Sequence, residues 1–214
     1  MSTFANCPPT AAPPDITIPL CLEQFGQVAK IAGQRVRQAD GTRNKFVVAT
    51  NDIKLLASWT PLLTSATDTK IQVTPKVHGV NGEAGEIIED GGGDDTVGGV
   101  PITVGIDRSE FNGVFIQQPA SVIRDLKGWQ SEVAFGHYLI NKDGYIGCLA
   151  DDTETPTEYY PIPASSWVIR DKQFGGFTSY DRHDVRWYYE PNWSDNFVVV
   201  KPTDFNGLTD LLNS

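Results

Sequence analysis

Residues 137–149, HYLINKDGYIGCL, restrict the fold more than any other stretch of the chain. Asp143 and Gly144 sit between two apolar runs, which marks a β-hairpin, because its tight turn needs residues that tolerate positive φ. Short apolar runs bounded by turn residues recur along the chain. TKIQVTPKV alternates Ile71, Val73 and Val77, the period of a half-buried strand, and Pro75 suits a sheet edge. VPITVGI alternates Val100, Ile102, Val104 and Ile106. Further strands are expected at 27–31 and 46–49 and in FNGVFIQ, SSWVIR, DVRWYY and NFVVVKP, with a turn at Gly175 and Gly176.

Helical spacing is confined to two segments and a tail. In NDIKLLASWTPLLT, Asn51 or Asp52 is expected to cap a helix with Ile53, Leu56 and Trp59 on one face, and Pro61 to stop or kink it. In PASVIRDLKGWQSE, Pro119 suits the first turn and Val122, Ile123, Leu126 and Trp129 form an apolar stripe. TDFNGLTDLLN is expected to close the chain as a short helix. The predicted fold is therefore mainly β, a sandwich or barrel with one or two short helices. Residues 1–18, with Pro8, Pro9, Pro13 and Pro14, read as an extended arm suited to lying on a neighbouring subunit. Residues 19–214 read as one sandwich-like domain with an inserted loop at 79–99.

A chain of 214 residues can bury one good core or two small ones, and its 40% hydrophobic content is that of an ordinary folded protein. The formal charge of -10 argues against a duplex-binding surface, which needs lysine and arginine to displace counterions. Three cysteines, Cys7, Cys21 and Cys148, with no CxxC pair, make neither a disulfide framework nor a zinc site. Residues 1–20 lack a secretory signal, and the apolar runs fall short of a membrane span. The expectation is a protein made in a reducing cytoplasm with free thiols.

The segment GEAGEIIEDGGGDDTVGG at 82–99 holds six carboxylates, seven glycines and no cation. A phosphate loop needs a Gly-Lys-Ser/Thr ending that feeds a helix, so phosphate binding is excluded. Asp90, Asp94 and Asp95 miss the register of a helix–loop–helix calcium site, and a calcium β-roll needs tandem copies of which there is one. His78, His137 and His183 are never paired at i, i+4 and read as structural. No Gly-x-Ser-x-Gly turn occurs, and Cys148 in its apolar hairpin reads as core. Asp151, Asp152, Glu154 and Glu158 form a second acidic cluster, ahead of an aromatic-rich end: Trp167, Phe174, Tyr180, Trp187, Tyr188, Tyr189 and Trp193. Those aromatics either fill the core or, if exposed, stack on sugars.

The order of these elements resembles that of a tailed-bacteriophage virion protein, and is most similar to major tail (tail tube) proteins: an arm, NDIKLLASWTPLLT, DTKIQVTPKV feeding a long Gly/acid loop, VGGVPITVG, PASVIRDLKGWQSE and YLINKDGYIG. The resemblance implies a non-enzymatic subunit, without cofactor, metal or membrane partner. Such subunits form rings, usually hexameric, that stack into a tube in the virion after assembly in the host cytoplasm, beside other virion proteins. DNA passes through without specific binding, and luminal carboxylates would repel its phosphates. Beyond that resemblance, Lys30, Arg35, Arg37, Arg43 and Lys45 form the most basic stretch, and Glu83, Glu86, Glu89, Asp90, Asp94 and Asp95 the most acidic. The two are expected to meet between adjacent subunits, with solvated surface as the alternative. A capsid decoration or cement protein, and a carbohydrate-binding module or tail-associated glycosidase, are the competing functional readings.

Overall fold

The structure, a computed structural model, describes residues 25–96, 98–132 and 134–213. The expected arm at 1–18 lies outside the described residues, as do Cys7 and Cys21. Numbered along the chain, the strands are β1 (Val28–Arg35), β2 (Phe46–Val47), β3 (Ile71–Val73), β4 (His78–Glu83), β5 (Ile87–Asp90), β6 (Ile102–Ile106), β7 (Ser109–Ile116), β8 (Phe135–Asn141), β9 (Ile146–Ala150), β10 (Glu158–Tyr160), β11 (Ile162–Ile169), β12 (Arg182–Tyr189) and β13 (Phe197–Val200). The helices are α1 (Leu56–Leu63) and α2 (Ala120–Lys127). The protein is mainly β and sandwich-like, as its alternation predicts. It divides into two units, one holding Ile87–Ile106 and the other Phe25–Glu86 with Asp107 onward.

The larger unit is organised around β8. All seven β8 residues are buried, so HYLI reads as a continuous apolar run because both faces of the strand are covered. Along its length β8 pairs with β1, while its start also pairs with β11 and its end with β9. The sheet therefore forks at β8, with β11–β12–β7–β4 on one branch and β9–β10–β2 on the other. Successive side chains of β8 feed two cores. Phe135 and Leu139 join Trp129, Trp167, Trp187 and Tyr189 in one. Tyr138 and Ile140 join Phe46, Trp59, Ile71 and Cys148 in the other. The expected turn is present: Gly144 has φ 85°, and the Asn141 side-chain oxygen accepts the N–H groups of Asp143 at 3.0 Å and Tyr145 at 2.8 Å.

Helix α2 follows its predicted stripe, with Pro119 as the extended residue before it and Ile123 and Leu126 buried. Helix α1 begins later than its sequence suggests. Asn51 accepts the Val47 N–H and Asp52 the Lys54 N–H, so neither caps it. Leu55 stands at the cap, and the Leu56 N–H is received by Asp204 at 2.9 Å, from the far end of the chain. Pro61 is accommodated inside, and the helix stops two residues later at Leu63. The C-terminal segment is turns, not the expected helix. There the Asn206 side chain accepts the Leu208 N–H at 2.9 Å and Asp210 accepts the Asn206 N–H at 2.7 Å, competing with a helical ladder.

In the smaller unit, the acidic segment is itself part of a hairpin. GEIIED supplies β5, which pairs with β6 as a separate two-stranded sheet. Gly91, Gly92 and Gly93 turn the tip at φ 78°, 112° and 59°, a run that only glycine takes without strain. Thr96 fastens it, accepting the Gly92 N–H at 3.1 Å and donating to the Val100 carbonyl at 2.8 Å.

Candidate functional site

The hairpin exposes what a folded chain normally hides. Ile87, Val100, Ile102 and Val104 are each more than 60% exposed, and Ile88 and Ile106 nearly half. Ile87 stands opposite Ile106 in the register, and Val104 is the extra residue of a bulge between the Gly105 and Thr103 pairings. A two-stranded ribbon is marginal in water by itself, and exposed aliphatic strands are templates for pairing with another chain. Glu89 and Asp90 lie in β5, while Asp94 and Asp95 form the short 3-10 turn of the tip. Glu83 ends β4, opposite Glu110 of β7, and Glu86 follows in the connection. All six carboxylates are exposed, and none joins an ion pair among the described residues.

The basic stretch is largely spent inside its own unit. Arg35 grips Glu132 through two bonds, at 2.7 and 3.0 Å, and reaches Asp68 at 2.5 Å. Those carboxylates hold its guanidinium above the ordinary arginine range. Lys45 pairs with Glu158 at 2.5 Å. Lys30 is buried, its Nζ donating to the Leu211 carbonyl at 3.4 Å. Burial, with Lys76 adding to it, lowers the Lys30 pKa. Arg43 stacks over the Tyr160 ring at 3.6 Å, and Arg37 donates to the Gly41 carbonyl at 3.0 Å. Within the set, an antiparallel bridge brings Arg37 and Arg43 together, and these two are left without a carboxylate partner among the described residues.

The second acidic cluster is a loop scaffold. Asp151 accepts the Thr157 hydroxyl and the N–H groups of Thr157 and Glu158, which hold its carboxyl well below the usual range. Asp152 accepts from Glu154 and Thr155 and is likewise lowered. Glu158, bonded by Lys45 and by the Tyr160 hydroxyl, is lowered too. A glycosidase's general acid needs a carboxyl shifted the other way.

Cys148 is fully buried, and burial alone pushes its thiol well above the ordinary range, away from nucleophilic character. His137 is fully buried among Trp129, Phe135, Trp167, Trp187 and Tyr189. Its Nδ1 lies 3.2 Å from the Tyr189 hydroxyl, its Nε2 has no partner among the described residues, and burial lowers its pKa to about 3. No group of three His, Cys, Asp or Glu placed to hold a metal occurs among the described residues.

The aromatic-rich end divides three ways, with Tyr188 and Trp193 half-buried and Trp193 packed against the first core. Trp167, Trp187 and Tyr189 are buried, so loss of Trp187 would report on folding and not on sugar contact. Phe174 and Tyr180 are exposed, and with them Phe177, which the sequence reading passed over although the Gly175 and Gly176 turn beside it was the available signal. A scan against protein-family models gives no match, and neither does a search of curated proteins.

Proposed function

We propose that this chain is a non-enzymatic structural subunit that associates with copies of itself. The hairpin carries that reading: five exposed branched aliphatic residues on two strands and a sixth, Val100, just ahead of β6, together with Glu89, Asp90, Asp94 and Asp95, which join no ion pair among the described residues. Burying the aliphatic side chains against a neighbour recovers hydrophobic free energy that a lone chain forgoes. The outer edges of β5 and β6, which pair with no other strand among the described residues, can add main-chain hydrogen bonds to it. The acidic charge keeps free subunits apart in solution and, turned towards a channel, repels nucleic-acid phosphates. These properties suit a tailed-phage tail tube of stacked, hexameric rings, with DNA passing through and the virion as its location. Other virion proteins would bound the stack at its ends.

Arg37 and Arg43 are the members of the basic stretch left to pair with a neighbour's carboxylates. Arg37→Glu combined with Arg43→Glu is expected to weaken association at low salt and to have little effect at high salt, measured by sedimentation. Arg35→Glu tests nothing cleanly, since it would set a third carboxylate against Glu132 and Asp68.

Negative-stain electron microscopy of the purified full chain, across a range of concentrations, tests the function directly. Rings or tubes are expected. A monomer at every concentration would overturn the proposal, and a species that binds only to preformed shells would mark a decoration protein instead.

A further inference from the structure

Among the described residues, three aromatic side chains are exposed: Phe174 at 83%, Phe177 at 110% and Tyr180 at 65%. All three lie on the loop between β11 and β12, and that loop is tied down. Gln173 and Arg182 form a bridge across its base. Asp181 accepts the Gly175 N–H at 3.2 Å and pairs with Lys172 at 2.9 Å, and Ser179 donates to the Gly175 carbonyl at 2.7 Å. The rings are therefore presented on a braced loop.

Phe177 and Tyr180 form one wall of a groove of about 690 Å³, with His78, Thr178, Ser179 and Arg182. Gly79 and Val114 belong both to this groove and to an adjoining hollow of about 390 Å³ lined by Asn112, Arg170, Asp184, Arg186 and Tyr188, so the two run on from each other. This is the outer face of β7, β12 and β11, whose other faces carry Phe115, Val185, Trp187 and Trp167 into the core.

The polar groups of that face are fixed in advance. Arg186 donates to Asn112 at 3.2 Å, Asn112 to Glu110 at 3.0 Å and Tyr188 to Glu110 at 2.8 Å. Asp184 is held by Gln173 at 2.7 Å. Planar hydrogen-bonding groups beside exposed aromatic rings match one ligand chemistry well. A sugar ring offers an apolar C–H face for stacking and an edge of hydroxyls that both donate and accept. A wholly apolar peptide or a lipid surface would find Val114, Ile116 and Val168 on the floor but would also strip water from Arg170, Asp184 and Arg186 without replacing its hydrogen bonds. Nucleic acid would want cations free to meet phosphates, whereas Arg182 is paired with Asp184 at 3.8 Å and Arg186 with Glu110 at 3.1 Å.

We propose that this groove binds a neutral oligosaccharide, with Phe177 and Tyr180 stacking on its rings and Asn112, Arg170, Asp184 and Arg186 taking its hydroxyls. The proposal is independent of how the subunit assembles, and equips the protein to hold a glycan-coated surface.

The test uses the full chain on an array of short chitin, cellulose, mannan and galactan fragments, with sialylated glycans, duplex DNA and phosphatidylcholine vesicles alongside. Binding to at least one neutral oligosaccharide is expected. Phe177→Ala combined with Tyr180→Ala should weaken it by about tenfold or more, and Arg186→Gln should also weaken it. Both aromatic positions are exposed, so the variant fold is preserved and circular dichroism checks it. Repeating the titration with β6 variants that block self-association removes avidity. No binding to any neutral glycan, binding unchanged in the aromatic double variant, or binding to DNA or vesicles in its place would overturn the proposal.

Discussion

Ile102→Thr, Val104→Thr and Ile106→Thr, introduced together, should leave the protein folded and abolish its self-association in the range where the wild type assembles. Threonine keeps the β-branched shape that suits a strand, so the hairpin is preserved while its apolar surface is lost. The three positions are 62%, 66% and 45% exposed, so none holds up a core within the chain. Each aliphatic side chain buried at an interface contributes about 1 kcal/mol when part of its surface is already covered. Together they amount to about 3 kcal/mol per contact, which moves the onset of association by about two decades in concentration. Sedimentation velocity reads the shift, and unchanged urea unfolding shows that the effect belongs to assembly.

Acid should destabilise the fold through His137. The imidazole is enclosed by indole and phenyl rings, and the titratable group that touches it is the Tyr189 hydroxyl, whose own ionisation burial pushes beyond reach. In the unfolded chain a histidine protonates near pH 6.5, whereas in the fold it stays neutral down to about 3. Between those values the unfolded state binds the extra proton. Stability is therefore fully present above pH 6.5 and falls as pH drops, by about 1.4 kcal/mol per unit, levelling off below pH 3. From neutral pH to pH 4.5 this one residue costs on the order of 3 kcal/mol. His137→Leu keeps an apolar occupant in the cage and removes the titration. Urea unfolding of both proteins at the two pH values checks the account. The wild type should lose more stability than the variant by about that amount, and equal losses would show that the carboxylates govern the acid response.

Local chemistry was legible in the sequence wherever it decides the structure. Asn141 through Gly144 set the β8–β9 turn with their own side chains and backbone, so that hairpin reads directly from its residues. Helix α2 likewise carries its stripe and its proline within one short segment. The start of α1 does not, because the group that receives the Leu56 N–H is Asp204, about as far along the chain as a partner can be. The C-terminal turns are not legible in the spacing of apolar residues, because they are set by Asn206 and Asp210 bonding the backbone locally. Charge was the least legible quantity. Arg35 and Lys45 stand out as basic in the sequence, yet Glu132 and Glu158, remote along the chain, neutralise them in the fold.

The aromatic end shows where pattern could have gone further. In RHDVRWYY, strict alternation puts His183, Val185, Trp187 and Tyr189 on the inner face. The aromatics around Gly175 and Gly176 lie in no alternating run and are the ones left outside. Likewise VPITVGI alternates as a half-buried strand should, but the cover for its apolar residues does not come from within the described chain. That mismatch between pattern and burial is the ground for proposing a second copy.

Photo-crosslinking from the hairpin tests that proposal most directly. With a benzophenone-bearing amino acid in place of Val104, irradiation of the purified protein should give a ladder of covalent dimers and higher species. Peptide mapping should then join position 104 to a segment of another copy. Crosslinks confined to single chains, at concentrations where the wild type is examined for rings, would contradict the account.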